Sequence, residues 1–218
     1  MGKRKLPYYL TENEIDLLIN VFNLRYPTSQ RNCLIVRVFV NTGLRLSELI
    51  NLKWKDISFM EGSIHIKQGK GNKDRKVWFD DDLKQRLVDW KKRQIQELSQ
   101  RDLEICDYVF STLKGTKLDP KYIRRMIYKK AAKAGIQEVE EKINKNGDTY
   151  LEKRVSPHTL RHTYATQLLR RGADIRQVQK SLGHANLETT MIYTHVYDSD
   201  LENLHKTLSL GSKKELET

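Results

Sequence analysis

Between residues 56 and 79 the hydrophobic rhythm of the chain switches from helical to period two. DISF and SIHIK stand on either side of Met60-Glu61-Gly62, and RKVWF follows the glycine-containing GKGNKD. Alternating apolar and polar residues broken by turn formers predict a three-stranded antiparallel sheet. Helical spacing precedes and follows this block, which limits the chain to a mostly helical α+β fold with one small sheet. Ahead of it, TENEIDLLINVF sets Thr11 and Glu14 at the capping-box interval and predicts a helix from about residue 12. QRNCLIVRVFVNTG reads as a second, strongly apolar helix stopped by Gly43, and LSELINL as a short third. Behind the sheet, the DDD at 80–82 can cap a helix with a stripe of Leu83, Leu87, Trp90 and Leu98. DYVFS reads as a short strand. A helix over 119–134 has Pro120 in its first turn and Gly135 past its end. The polar segment 136–155 reads as an exposed hairpin or loop. Helices follow over 157–171, 174–182, 187–195 and, amphipathic through Leu201, Leu204 and Leu208, over about 198–209. No repeat or low-complexity linker divides the chain, so residues 1–210 are expected to form one domain and 211–218 a flexible tail.

The 218 residues include 40 Lys and Arg against 28 Asp and Glu, a formal net charge of +12 that favours a polyanionic partner. At 38% hydrophobic and 31% charged, the chain is a globular protein and not a disordered one. No apolar run approaches the ~20 residues of a membrane span, and MGKRKLPYYL lacks the apolar stretch of a secretion signal. Cys33 and Cys106 stand far apart in no metal-like spacing and read as free thiols of a cytoplasmic protein.

The densest polar chemistry lies in SPHTLRHTYA, residues 156–165. Ser156 is a good N-cap and Pro157 suits the first helical position. His158, Arg161 and His162 then fall on one arc of the helix with Ala165, Leu168 and Leu169, while Thr159, Thr163, Thr166 and Arg170 take the opposite arc. The polar cluster is therefore expected to point towards the protein body. An arginine with histidines at a helix N-terminus makes a receptor for an anion such as phosphate. A zinc site is disfavoured, because Thr159 stands where the metalloprotease pattern needs Glu and because Arg161 and the helix dipole would repel a cation. A buried histidine pair satisfied by backbone or a carboxylate, with Arg161 salt-bridged, is the ordinary alternative.

Three further stretches carry candidate chemistry. In NTGLRLSELINLKW, Arg45 follows a helix break and Glu48 is placed to hold its guanidinium. QGKGNKDRK puts Lys70, Lys73, Arg75 and Lys76 on a hairpin tip that could reach DNA; it is not a Walker A loop, since Ile64 and Gly71 occupy two of the required positions. In SLGHANLETTMIYTHV, His184 follows a helix stop and Tyr193 lies off the apolar face formed by Leu187 and Met191. A helix–turn–helix reader over 174–195 is disfavoured, because its second helix nearly lacks the Arg, Asn and Gln that read base edges.

Taken together and in this order, TGLRLSEL, GKGNKDR, SPHTLRHTYATQLL and SLGHANLETTMIYTHV resemble the catalytic domain of the tyrosine recombinases, the phage integrase family, over residues 8 to 205. The resemblance implies the DNA breaking-rejoining fold and a site-specific recombinase that joins DNA through a 3′-phosphotyrosyl intermediate, without ATP, metal or other cofactor. It implies Arg45, Lys70, His158, Arg161 and His184 as the basic catalytic set and Tyr193 as nucleophile. Glu48 would support Arg45, and Lys73, Arg75 and Lys76 would contact DNA. His162 matches a position commonly held by His but not catalytic. Double-stranded DNA is the implied partner, with a homotetramer on DNA through the C-terminal helix and a monomer in its absence. Members usually carry a DNA-binding domain before this region. Only about seven residues precede it here, so that core-binding domain is expected to be absent. The 136–155 segment looks longer than the usual connection. The alternatives are a catalytically silent DNA-binding regulator of the same fold and a type IB topoisomerase-like relaxing enzyme.

Overall fold

The structure, a computed structural model, describes residues 8–67, 74–143 and 147–183. Lys70, Lys73, His184, Tyr193, both expected helices beyond residue 184 and the tail lie outside the described residues.

The chain enters through α1 (Glu12–Asn20), whose Thr11–Glu14 capping box forms as its spacing predicts. It continues into α2 (Pro27–Thr42), which begins earlier than the apolar run because Pro27 takes the first turn. Ile35, Val36, Val38 and Phe39 of α2 are fully buried, making it the central helix, packed against both α4 and α6. Gly43 ends α2 in the left-handed conformation, and α3 (Leu46–Asn51) restarts almost at once.

The predicted sheet forms with order β1 (Ile57–Ser58), β2 (Ser63–Ile66), β3 (Arg75–Trp78), each pair antiparallel. Its register sets Ile64 opposite Val77, both buried, while His65 and Lys76 form a pair on the other face. Asp80 then caps α4 (Asp81–Ser99), which buries Leu83, Leu87, Trp90 and Leu98 as its stripe predicts. The DYVFS segment differs from expectation. It is extended and Val109 and Phe110 are fully buried, yet it makes only isolated bridges, Lys53 with Tyr108 and Ser111 with Lys117. The reason is that α4 side chains take its polar groups. Trp90 Nε1 donates to the Val109 carbonyl at 2.7 Å, and Gln94 Nε2 to the Tyr108 carbonyl at 3.0 Å and to Ser111 Oγ at 2.8 Å. The Asp107 carbonyl and the Val109 N–H pair with the Trp54 N–H and the Leu52 carbonyl around the one bridge, and with the next carbonyls taken by side chains the ladder goes no further.

α5 (Pro120–Lys133), capped by Asp119, leads into the segment that was read as hairpin or loop. It is a hairpin, β4 (Val139–Ile143) paired with β5 (Thr149–Lys153). α6 (Pro157–Arg170) follows, capped by Ser156, and then α7 (Ile175–Leu182), capped by Asp174 and stopped by Gly183. The α6 expectation needs correction. The supposedly opposite arc is buried too, with Thr159, Thr163 and Thr166 each at most 5% exposed. α6 is thus enclosed on nearly all sides. Its threonines fit because their hydroxyls are satisfied locally: Thr159 Oγ1 donates to the Arg154 carbonyl at 2.6 Å, and Thr163 Oγ1 donates to the Thr159 carbonyl and accepts from the Leu10 N–H at 2.9 Å each. Tyr164, Ala165 and Leu169 of α6 meet Val178 and Leu182 of α7 in a small apolar cluster of their own.

Gly43 sits where these parts meet. Its φ is +60°, and a Cβ there would stand 2.3 Å from Tyr164 Cδ1 and 3.0 Å from Leu182 Cδ2. Gly43→Ala combines backbone strain with overpacking and is expected to destabilise the protein by roughly 2–4 kcal/mol. Urea unfolding of the two proteins at neutral pH measures it; a loss below about 1 kcal/mol would show that α6 and α7 yield at this contact.

Candidate active site

Arg45 occupies the N-cap of α3, outside the helix, because Gly43 has just reversed the chain. Glu48, three residues on, accepts from the Arg45 N–H at 2.7 Å and from its Nη1 at 2.9 Å. A second arginine grips the same carboxylate from the sheet: Arg75 Nη1 donates to one oxygen at 2.8 Å and Nη2 to the other at 2.7 Å. Burial alone would raise the Glu48 carboxyl. The Arg75 hydrogen bonds, the Arg45 N–H and the charges of both arginines outweigh it and hold the pKa down to about 2.

This placement differs from the reading of Arg75 as a DNA contact. Its side chain is 5% exposed and turned inward, because β3 alternates: Arg75 shares the buried face with Val77, and Lys76 shares the open face with Trp78. Lys76 lies on the surface and pairs with Glu61 at 2.7 Å.

Arg161 comes from the second turn of α6 and is 7% exposed. Its guanidinium donates to the Gly43 carbonyl and, at 2.6 Å, to the Leu182 carbonyl. Arg45 Nη2 reaches the next carbonyl, Gly183, at 2.7 Å, and Arg75 Nε the preceding one, Ser181, at 2.9 Å. Three consecutive carbonyls at the end of α7 thus each receive one arginine. A helix C-terminus leaves its last carbonyls unpaired and carries partial negative charge, so cations are the natural partners there. The same contacts bring Arg45 and Arg161 together, since they hold neighbouring peptide units.

The histidines of α6 divide. His158, in the first turn, is exposed, and His162 is partly buried. So the polar arc does not point inward as a whole; it straddles the rim of the body, Arg161 inside and His158 outside. Both histidines line a surface concavity of about 880 Å³ with Tyr8, Glu14 and Arg154, beside β4 and β5. Burial pushes the His162 imidazole down to about 4, helped by the charges of His158 and Arg161, so it is neutral at pH 7. Among the described residues, no group of three or more His, Cys, Asp or Glu could hold a metal ion, and no helix is long and apolar enough to cross a membrane.

The fold has counterparts among solved structures. It superimposes on the crystal structure of XerA recombinase with a TM-score of 0.72 at 35% identity, over 96% of this chain and 68% of that one. XerH site-specific recombinase bound to palindromic difH substrate, in a post-cleavage complex, gives a TM-score of 0.71 at 29% identity, over 93% of this chain and 54% of that one. The fold is therefore that of a tyrosine recombinase catalytic domain. The model of the phage integrase family matches residues 8–200, and the chain belongs to that family. Its relatives include tyrosine recombinase XerC of Lactobacillus leichmannii, 37% identical over 89% of this chain and 60% of that protein. Tyrosine recombinase XerA of Pyrococcus furiosus is 39% identical over 88% of this chain and 59% of that protein. The chain spans about 60% of the length of such relatives.

The depressed His162 pKa has a consequence for stability. The unfolded chain takes up a proton near pH 6.5, and the folded one only near 4, so stability is full above about 6.5 and is lost as pH falls towards 4. Between pH 7 and 4.5 this group alone is expected to remove about 2.5 kcal/mol. His162→Gln should shrink the drop in unfolding free energy across that interval by a similar amount, as followed by urea titration at the two pH values. An equal drop in both proteins would show that His162 protonates freely in the folded state.

Proposed function

We propose that this chain is the catalytic part of a site-specific DNA recombinase, acting on double-stranded DNA by transesterification through Tyr193. The observation that carries the proposal is the convergence of Arg45 and Arg161 on adjacent peptide units, with His158 exposed one turn before Arg161 on α6, in a chain of the phage integrase family.

In the proposed reaction the Tyr193 phenol oxygen attacks a backbone phosphorus. An O–P bond forms to the tyrosine, and the bond from phosphorus to the 5′-oxygen breaks. A phenol has a pKa near 10, so forming phenolate at neutral pH costs roughly 4 kcal/mol. His158, exposed at the helix start, is the group assigned to take that proton. Arg45 and Arg161 hold the non-bridging oxygens with permanently charged forks, and His184 adds a hydrogen bond. Lys70 is assigned to protonate the departing 5′-oxygen. The energy of the broken ester stays in the phosphotyrosine, and a 5′-hydroxyl from a second DNA reverses the step on a new partner. Arginines supply the charge that a divalent ion supplies in many nucleases. Lys73 and Lys76 would track the backbone near the hairpin tip. A homotetramer on DNA, joined through the C-terminal helix, and a cytoplasmic location complete the reading.

The test is covalent trapping. Duplexes with randomised half-sites and a nick beside each candidate phosphate let the released 5′-hydroxyl fragment diffuse away, so an SDS-resistant adduct accumulates. Wild type is expected to form it in the presence of EDTA, and Tyr193→Phe to form none. Arg45→Ala or Arg161→Ala should slow it on the order of 10²-fold, the effect of about 3 kcal/mol on the barrier. An adduct from Tyr193→Phe rules out the nucleophile. Cleavage abolished by EDTA points to a metal nuclease, and relaxation of any supercoiled plasmid by a monomer to a topoisomerase.

A further inference from the structure

We infer that Arg75 is a positioning residue of the active site: buried behind Arg45, it fixes both that guanidinium and the end of α7. The inference rests on the strand-transfer reading above and assigns within it a role distinct from contact with DNA.

The hydrogen bonds of Arg75 to the described residues point this way. Its two terminal nitrogens take both oxygens of Glu48, and its Nε takes the Ser181 carbonyl at 2.9 Å. Glu48 in turn holds Arg45 by backbone and side chain. Arg45 is 35% exposed on its side chain and Arg75 only 5%, so one guanidinium faces the ligand side and the other stands behind it. Without Arg75, Arg45 keeps its Gly183 carbonyl, but its other anchor, the Glu48 carboxylate, loses the bidentate fork that fixes its plane. With it, Glu48 is gripped from two directions and Arg45 has one orientation. The Ser181 contact extends the constraint to α7. Arg75, Arg161 and Arg45 take the carbonyls of Ser181, Leu182 and Gly183 in succession, and the chain leads from Gly183 directly into His184. Lysine cannot replace this arrangement, because one ammonium does not present a planar fork to a carboxylate while also reaching a carbonyl on a third element.

The sequence offers a rival role, since Arg75 closes a basic hairpin that reads as a DNA contact. The two roles separate experimentally. Single-turnover adduct formation at saturating protein, duplex affinity across a salt series, and thermal melting are measured for wild type, Arg75→Met, Arg75→Lys and Lys76→Met. Arg75→Met is expected to slow adduct formation on the order of 10²-fold, the scale of a misplaced catalytic group. Its duplex affinity and salt slope should match wild type. Arg75→Lys should recover only a small part of the rate. Lys76→Met supplies the signature of a phosphate contact, a salt slope reduced by about one. The same reduction in Arg75→Met overturns the inference in favour of DNA contact. A rate that returns to the wild-type value well below the variant's melting temperature also overturns it, leaving Arg75 a stabilising ion pair only. Amide hydrogen exchange over residues 179–183 decides the clamp without reference to cleavage. It is expected to quicken in Arg75→Met, and unchanged protection there overturns the clamp. A wild-type protein that forms no adduct tells against strand transfer and not against the clamp, which the exchange measurement judges by itself.

Discussion

The Glu48 carboxylate ties together parts of the chain that the apolar core does not join by itself. It sits on α3, binds Arg45 at the start of the same helix and grips Arg75 across from the sheet. Burying Glu48 and Arg75 is expensive, and a pair of apolar residues in their place is often neutral or stabilising. Here the desolvation is offset by geometry: both carboxylate oxygens are doubly engaged, with all four contacts between 2.7 and 2.9 Å. What an apolar replacement would lose is direction. A hydrophobic contact holds surfaces together without choosing an orientation, whereas a forked guanidinium on a carboxylate fixes planes and distances.

Docking of α7 follows from the same network. Among the described residues the apolar cluster between α6 and α7 is small, five buried residues against the extensive core around α2. Its last turn is instead held by the arginines of three separate elements, one to each terminal carbonyl. Gly43 makes this possible. By reversing the chain with a positive φ and no side chain, it lets Tyr164 and Leu182 close over it while its own carbonyl receives Arg161. The local sequence NTGLR therefore does two jobs: it ends α2, and it delivers one arginine and one arginine acceptor to the same place.

Much of this was legible beforehand, and the reasons are local. Capping boxes, proline at helix starts and left-handed glycine ends act over three or four residues, so Thr11, Asp80 and Ser156 cap the expected helices. The period-two block marks the three-stranded antiparallel sheet, and its register appears only in the structure. Two expectations fail, the first for a local reason and the second for a nonlocal one. α6 was read as a one-sided helix because threonine counts as polar, but a threonine whose hydroxyl bonds the preceding turn or a neighbouring segment buries as readily as valine. DYVFS reads as a strand because its composition is right, yet Trp90 and Gln94, 19 and 14 residues before the groups they bond, take carbonyls a longer ladder would need. Arg75 is a different case. The alternation in RKVWF already placed it on the face of Val77, and only its membership of a run of basic residues concealed that.

The way the arginines are satisfied bears on what the site can bind. Arg45 and Arg75 share one carboxylate, Glu48, and Arg161 is held by the Gly43 and Leu182 carbonyls, so these four groups keep two positive charges. The remaining donors named here go to backbone carbonyls, which fix a guanidinium in place without cancelling its charge. Had carboxylates served instead of the carbonyls of Gly43, Ser181, Leu182 and Gly183, the same rigidity would have come with a neutral or negative pocket. An anionic phosphodiester requires both properties at once: charge that is not neutralised, and donors that do not have to reorganise as the transition state forms. The end of a helix offers several outward-facing carbonyls within one turn, close enough for guanidiniums from three elements to converge on it. On this argument α7 is as much a part of the site as the residues it orients, and its final turn is what allows a cluster of like charges to exist in the folded protein.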